Sequence, residues 1–147
     1  SIYWNDDLEF LCSNMIQNFK KYNDKTIENF RIPAVFKNDE DEEFSYTLIK
    51  LTALHHKEFD QIVLDSLKKW ELDRIAFVDR VILHLALAEI TQMPDMPVKV
   101  TINEYLDIAK FYSTEKSSVF INGILDKVYS ELKNAGALNK SGLGMVE

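Results

Sequence analysis

Four glycines and three prolines are all that punctuate this chain of 147 residues, and Gly123 is the only glycine before Gly136. A sandwich or barrel turns every ~8–12 residues and uses Gly, Pro, Asn and Asp at those turns. With so few breakers the chain must run in a few long elements, and long elements are helices. Hydrophobic side chains make up 46% of the sequence and are spread along its length. That is enough for one domain to bury a sizeable core and too much for a disordered chain.

The spacing predicts a first helix from Asp6 to about Tyr22, with Leu8, Leu11, Cys12, Met15, Phe19 and Tyr22 on one stripe and Asn5 or Asp6 as its cap. A short helix over 26–31 would end before Pro33. The acidic run Asp39-Glu40-Asp41-Glu42-Glu43 reads as a solvated loop leading into a helix N-terminus, where negative charge is favoured. A docking site for a basic partner is the alternative. That helix would carry Phe44, Leu48, Leu51, Thr52 and His55 on one face. After a break at His55-His56-Lys57, the next helix would turn Phe59, Ile62, Val63, Leu67 and Trp70 inward. Leu72-Asp73-Arg74 would then connect to a helix over 76–91, whose apolar residues cover most of its circumference and make it the central one.

Pro94 and Pro97 break the chain next. Thr101-Ile102-Asn103-Glu104 has the Thr-x-x-Glu form of a capping box, which predicts a helix start at Thr101 with Glu104 as its partner. The last helix would carry Phe120, Ile121, Ile124, Leu125, Val128 and Leu132 and stop near Gly136. The expected fold is all-α, a bundle of about six helices with short connections. It divides into an N-terminal helix and acidic connector over 1–43, a helical domain over 44–136, and a flexible tail over 137–147.

Charge narrows the function. Net charge is −7, and residues 1–65 alone hold 13 acids against 7 bases. Nucleic-acid binding depends on Lys and Arg at phosphates, so the overall balance argues against independent binding. Three arginines, Arg31, Arg74 and Arg80, are a poor supply for bidentate recognition. Cys12 alone can form neither an internal disulfide nor a multi-cysteine metal site. No stretch approaches the ~20 apolar residues of a membrane span, and the start lacks the basic flank and apolar run of a signal peptide. A reducing, cytoplasmic setting is expected.

Enzyme signatures are absent: no Gly-x-Gly-x-x-Gly, no phosphate loop, no Gly-x-Ser-x-Gly. His55 and His56 are adjacent and diverge on a helix, while His84 and Glu89 are five apart and do not align. No catalytic residue, metal site or cofactor is expected. Gly123 costs a helix ~1 kcal/mol relative to Ala. It either admits a close neighbour or keeps a surface flat for a partner. The Asn122 amide could join two helices or contact a ligand. Phe120 is either core or a base-stacking platform.

Three blocks carry a resemblance. Trp70-Glu71-Leu72-Asp73-Arg74-Ile75, followed by Asp79-Arg80-Val81-Ile82-Leu83-His84-Leu85-Ala86-Leu87-Ala88-Glu89-Ile90, resembles the central segment of the NusB transcription antitermination family. Pro97-Val98-Lys99-Val100-Thr101-Ile102-Asn103-Glu104 with Ile108-Ala109-Lys110-Phe111 is similar to its Pro-x-Lys-Val-x-Ile-Asn-Glu…Ala-Lys segment. Phe120-Ile121-Asn122-Gly123-Ile124-Leu125-Asp126 is similar to its Phe-Val-Asn-Gly-Val-Leu-Asp helix. The blocks stand in family order and spacing.

The resemblance implies an RNA-binding adaptor without enzymatic activity. It would pair with NusE, a ribosomal protein, bind box A RNA, and act in the RNA polymerase antitermination complex. A NusB-fold protein-interaction module without RNA, or the NusB-like domain of a ribosomal RNA methyltransferase, are the alternatives. Asp79 matches an acid near the family's NusE surface, with Arg80 beside it, and Phe120 matches an aromatic near the RNA. Lys116, Lys99 and Lys127 are candidates for phosphate contact, with Asn122 nearby. The family usually opens with an arginine-dense helix, whereas this chain opens Asn5-Asp6-Asp7-Leu8-Glu9. The expectation drawn from that difference is the C-terminal part of a longer member.

Overall fold

The structure, a computed structural model, describes residues 12–13, 15–17, 19–20, 36, 38–67 and 75–145. The chain divides into two units, Ser1–Glu42 and Glu43–Glu147. In the first, the described residues 12–13, 15–17 and 19–20 are helical. The rest of the helix expected there, the short helix over 26–31, and Trp70 with the connector at 72–74 lie outside the described residues.

Beyond that helical stretch the described residues form five α-helices, and no strand occurs among the described residues. They are α1 (Asp39–Leu54), α2 (His56–Ser66), α3 (Phe77–Gln92), α4 (Val98–Tyr112) and α5 (Glu115–Asn134), followed by a 3-10 turn over Gly142–Met145. The all-α expectation holds. Helix α3 is the hub, packed against α2, α4 and α5. Its Ile82, Leu83, Ala86, Leu87, Ala88 and Ile90 are all buried, as a helix apolar on most sides requires. Phe59 and Val63 from α2, Ile102, Tyr105 and Ala109 from α4, and Ile121, Ile124, Leu125 and Val128 from α5 complete the core. Leu48 and Leu51 of α1 pack on its edge.

The helix ends follow from local chemistry, with two departures from the expected starts. Asp39–Glu43 is not a loop before α1. It forms the first turns of the helix itself, because Asn38 takes the capping place and its Oδ1 accepts the Asp41 N–H at 2.7 Å. Four acids thereby sit at the positive end of the helix dipole. Likewise α4 begins at Val98 rather than Thr101, with Pro97 as its N-cap. Thr101 is fully buried, its N–H already bonded to the Pro97 carbonyl, and Glu104 is exposed. The capping box is therefore not formed. For α5 the cap is Thr114, whose hydroxyl accepts the Ser117 N–H at 3.2 Å.

The segment after α5 is docked where a flexible tail was expected. Gly136, at φ +64°, reverses the chain, and the Ala137 N–H returns to the Leu132 carbonyl. Leu138 then packs against the core. Lys140 Nζ donates to the carbonyls of Glu89 (3.3 Å) and Met93 (2.9 Å), adding a cation at the C-terminal end of α3. The Ser141 hydroxyl donates to Asp95 Oδ1 at 2.8 Å.

Candidate functional site

Asp79 lies in the first turn of α3 and is only 5% exposed. An exposed acid at a partner surface was expected; instead the Ser113 hydroxyl donates to its Oδ1. That bond ties the start of α3 to the end of α4. Arg80, the other residue expected at the partner surface, forms an ion pair with Asp60 of α2, its Nε 2.8 Å from Oδ1. His84, one turn on and buried, holds the same Asp60 oxygen at 2.9 Å through Nε2. Burial pushes the Asp60 carboxyl up, but the hydrogen bonds and charge of Arg80, aided by His84, outweigh it and hold the group below the ordinary carboxylate value. For His84, burial lowers the imidazole more than Asp60 raises it, so the ring is neutral at pH 7 and donates as the Nε2–H tautomer. This cluster joins α2 to α3.

The five residues expected at RNA divide between two faces of the bundle. Lys127 turns toward α2 and donates to the carbonyls of Ser66 (2.9 Å) and Asp65 (3.4 Å), closing that helix's C-terminus. Phe120 is half-buried and packs against the core, and Lys116, one turn before it on the same stripe, is exposed. Asn122 and Lys99 share the other face. They line one cavity with Ile102, Asn103, Asp126 and Tyr129, and the Asn122 amide donates to Asp126 Oδ2 at 3.0 Å. Gly123 is exposed, and a methyl added there would meet nothing within 4 Å. Close approach of a neighbour is thereby excluded, leaving the flat-surface reading.

Sequence reasoning missed a polar cluster in the core. Glu89, 5% exposed, accepts from the Thr101 hydroxyl at 2.7 Å and the Tyr105 hydroxyl at 3.1 Å. Burial, followed by the Glu89 carboxylate, pushes the Tyr105 phenol far above its ordinary range, so it stays a donor. Among the described residues no buried side-chain nitrogen or oxygen lacks a partner. The available signal was a lone acid inside the most apolar helix: such a group needs donors, and Thr101 and Tyr105 follow one turn apart.

The ends that Asp79 and Ser113 hold together carry exposed apolar side chains. Phe77 is 80% exposed, Phe111 67% and Tyr112 50%, with Val78 and Val81 also open. Large apolar groups facing water at adjoining helix ends are the chemistry of a protein contact.

The sequence pattern of the NusB family matches residues 9–130. The "Transcription antitermination protein NusB" of Chloroherpeton thalassium is 42% identical over 105 residues, 71% of this chain and 50% of that protein. The chain thus spans about half the length of that relative. Among solved structures, NusB of T. maritima superposes with a TM-score of 0.61 at 37% identity, over 64% of this chain and 66% of the other. A structure of the antitermination factors NusB and NusE in complex with dsRNA gives 0.60 at 28% identity, over 65% and 70%. By sequence pattern and by fold, this chain belongs to the NusB family.

Proposed function

We propose that the chain is an RNA-binding adaptor of transcription antitermination, without enzymatic activity of its own. In this reading it pairs with a NusE-type ribosomal protein, binds box A RNA with it, and serves the RNA polymerase antitermination complex. The observation that carries the reading is the likeness in sequence and fold to antitermination factors, including one solved with NusE and dsRNA. The exposed Phe77 and Phe111 support a protein partner at the α3 and α4 ends. The acidic balance of −7 supports a basic one, since opposite charge speeds encounter. Arg80 and Asp79 act there from beneath: they fix the helix ends that present the apolar groups.

Calorimetry tests the pairing. Phe77→Ser and Phe111→Ser are expected to weaken association with a NusE-type protein about tenfold or more, as truncated interface aromatics do. Melting temperature should barely change. Equal affinity for wild type and both variants would remove these helix ends from the interface. Association without any effect of the chain on RNA binding would favour the reading as a protein-interaction module alone.

A further inference from the structure

Three helix ends meet around a short chain of hydroxyls. Ser113, the C-cap of α4, donates its hydroxyl to Asp79 in the first turn of α3. Its Oγ also lies 2.9 Å from that of Ser117, in the first turn of α5. Ser117 Oγ lies 2.8 Å from the hydroxyl oxygen of Thr114, the N-cap of α5. A hydroxyl has one proton, and a carboxylate only accepts. Ser113 gives its proton to Asp79, so Ser117 is the donor to Ser113, and Thr114 the donor to Ser117. All three O–H groups thus point the same way, toward one carboxylate, and each bond strengthens the next. Asp79 is 5% exposed and Ser117 6%, so little water reaches the chain.

This chain stands between two sets of candidate contact residues. On one side are Phe77, two residues before Asp79, and Phe111 and Tyr112, just before Ser113, all exposed. On the other are Lys116, beside Ser117, and Phe120, one turn further along α5. A satisfied buried polar network admits one arrangement of the elements it joins, whereas apolar packing alone tolerates sliding. We infer that Ser113 and Ser117 are positioning residues that fix the partner-facing ends of α3 and α4 to the RNA-facing start of α5. Ser113 sets the placement of Phe77 and Phe111, and Ser117 carries that placement on to Lys116 and Phe120. The inference rests on the adaptor reading above, in which one chain holds a protein and an RNA together.

The test measures two affinities, well below the melting temperature of every variant. One is association with a NusE-type protein, by calorimetry. The other is binding of box A RNA by the preformed pair, by fluorescence anisotropy. Ser113→Ala should weaken partner association about tenfold. In a Phe77→Ser background it should weaken association much less, because the aromatic group it orients is already gone. Ser117→Ala keeps the Ser113–Asp79 bond, so partner association should match wild type while the pair's RNA affinity falls about tenfold. Ser130→Ala removes an exposed hydroxyl elsewhere on α5 and should match wild type in both. A Ser113→Ala variant with a lowered melt but wild-type partner affinity overturns the inference, since Ser113 then only stabilises the fold. So does a loss that adds in full to that of Phe77→Ser. Unchanged RNA affinity in Ser117→Ala overturns it too. In these cases the wild-type pair still binds RNA and the adaptor reading stands. A wild-type chain that forms no pair, or a pair that binds no RNA, overturns both.

Discussion

Gly123 shows how one residue separates packing from surface function. Its Cβ position is open, so replacing it adds helix propensity without a clash. Gly123→Ala should raise stability by about 1 kcal/mol, read as a higher urea midpoint. Gly123→Leu, which a packed site would penalise through overpacking, should also be neutral or stabilising here. If the glycine keeps a surface flat for a partner, the leucine variant alone will lose affinity while its melt holds. A marked drop in the melting temperature of either variant would contradict the open site.

The Glu89 cluster behaves in the opposite way. Its carboxylate is buried and depends on Thr101 and Tyr105 for donors. Thr101→Val keeps the shape and removes one donor. It should cost about 1–3 kcal/mol, the penalty of a buried acceptor left short. Chemical denaturation that shifts by less than a few tenths of a kcal/mol would show that water replaces the hydroxyl.

Between elements, the decisive contacts join residues far apart in sequence, and this sets what a linear reading can see. The periodicity of Ile82, Leu83, Ala86 and Ile90 was legible because every turn of α3 repeats it. Helix α5 was legible down to its stop, since Gly136 at φ +64° marks the reversal. The start of α4 was not. A Thr-x-x-Glu pattern looks the same at a helix N-terminus and one turn inside, and what decides is Glu89 across the interface, which buries Thr101. Asp79 and Lys127 were misplaced for the same reason: Ser113, Ser66 and Asp65 lie 34, 61 and 62 residues from them. The docked segment after α5 shows no periodicity at all, because its contacts are Lys140 to the end of α3 and Ser141 to Asp95.

Those contacts make two predictions. Lys140→Met leaves the α3 carbonyls without their cation and should cost about 1.5–3 kcal/mol; a melt like wild type would mean that the segment contributes nothing. The Asp60–Arg80–His84 tie predicts a pH profile. His84 has a folded value below the ordinary 6.5, so the unfolded chain takes up the proton first. Its contribution is full above 6.5 and is lost as pH falls through the folded value. Asp60, held below 3.8, contributes above that value and loses its part as pH falls further. Urea midpoints should hold from pH 8 to about 7, decline below about 6.5 and decline again below about 3.8. His84→Gln should flatten the first decline. Stability that rises as pH drops toward 6 would mean a protonated His84 in the folded chain, contrary to this account.

At the scale of the whole molecule, the bundle separates its surfaces by chemistry. Apolar side chains stand at the joined ends of α3 and α4, and lysines and amides gather along the outer side of α4 and α5. The family resemblance was legible from three blocks of sequence, and the matched pattern over residues 9–130 agrees with it. The candidate site was legible only in part. Lys99 and Asn122 do share a face, whereas Lys127 is consumed by α2. Charge along the sequence indicated an acidic chain but could not show that Lys99, Lys133 and Lys140, from separate segments, line one cavity.

The adaptor claim meets its most direct test in the affinity for box A RNA of this chain alone, a NusE-type protein alone, and the two together, each set against a scrambled RNA of equal length. With a net charge of −7 the chain alone should bind weakly. The pair should bind box A at least about tenfold more tightly than either protein alone, a coupling of about 1.4 kcal/mol, and should prefer it to the scrambled strand. A pair that binds no better than the NusE-type protein by itself, or that does not distinguish the two RNAs, would contradict the account.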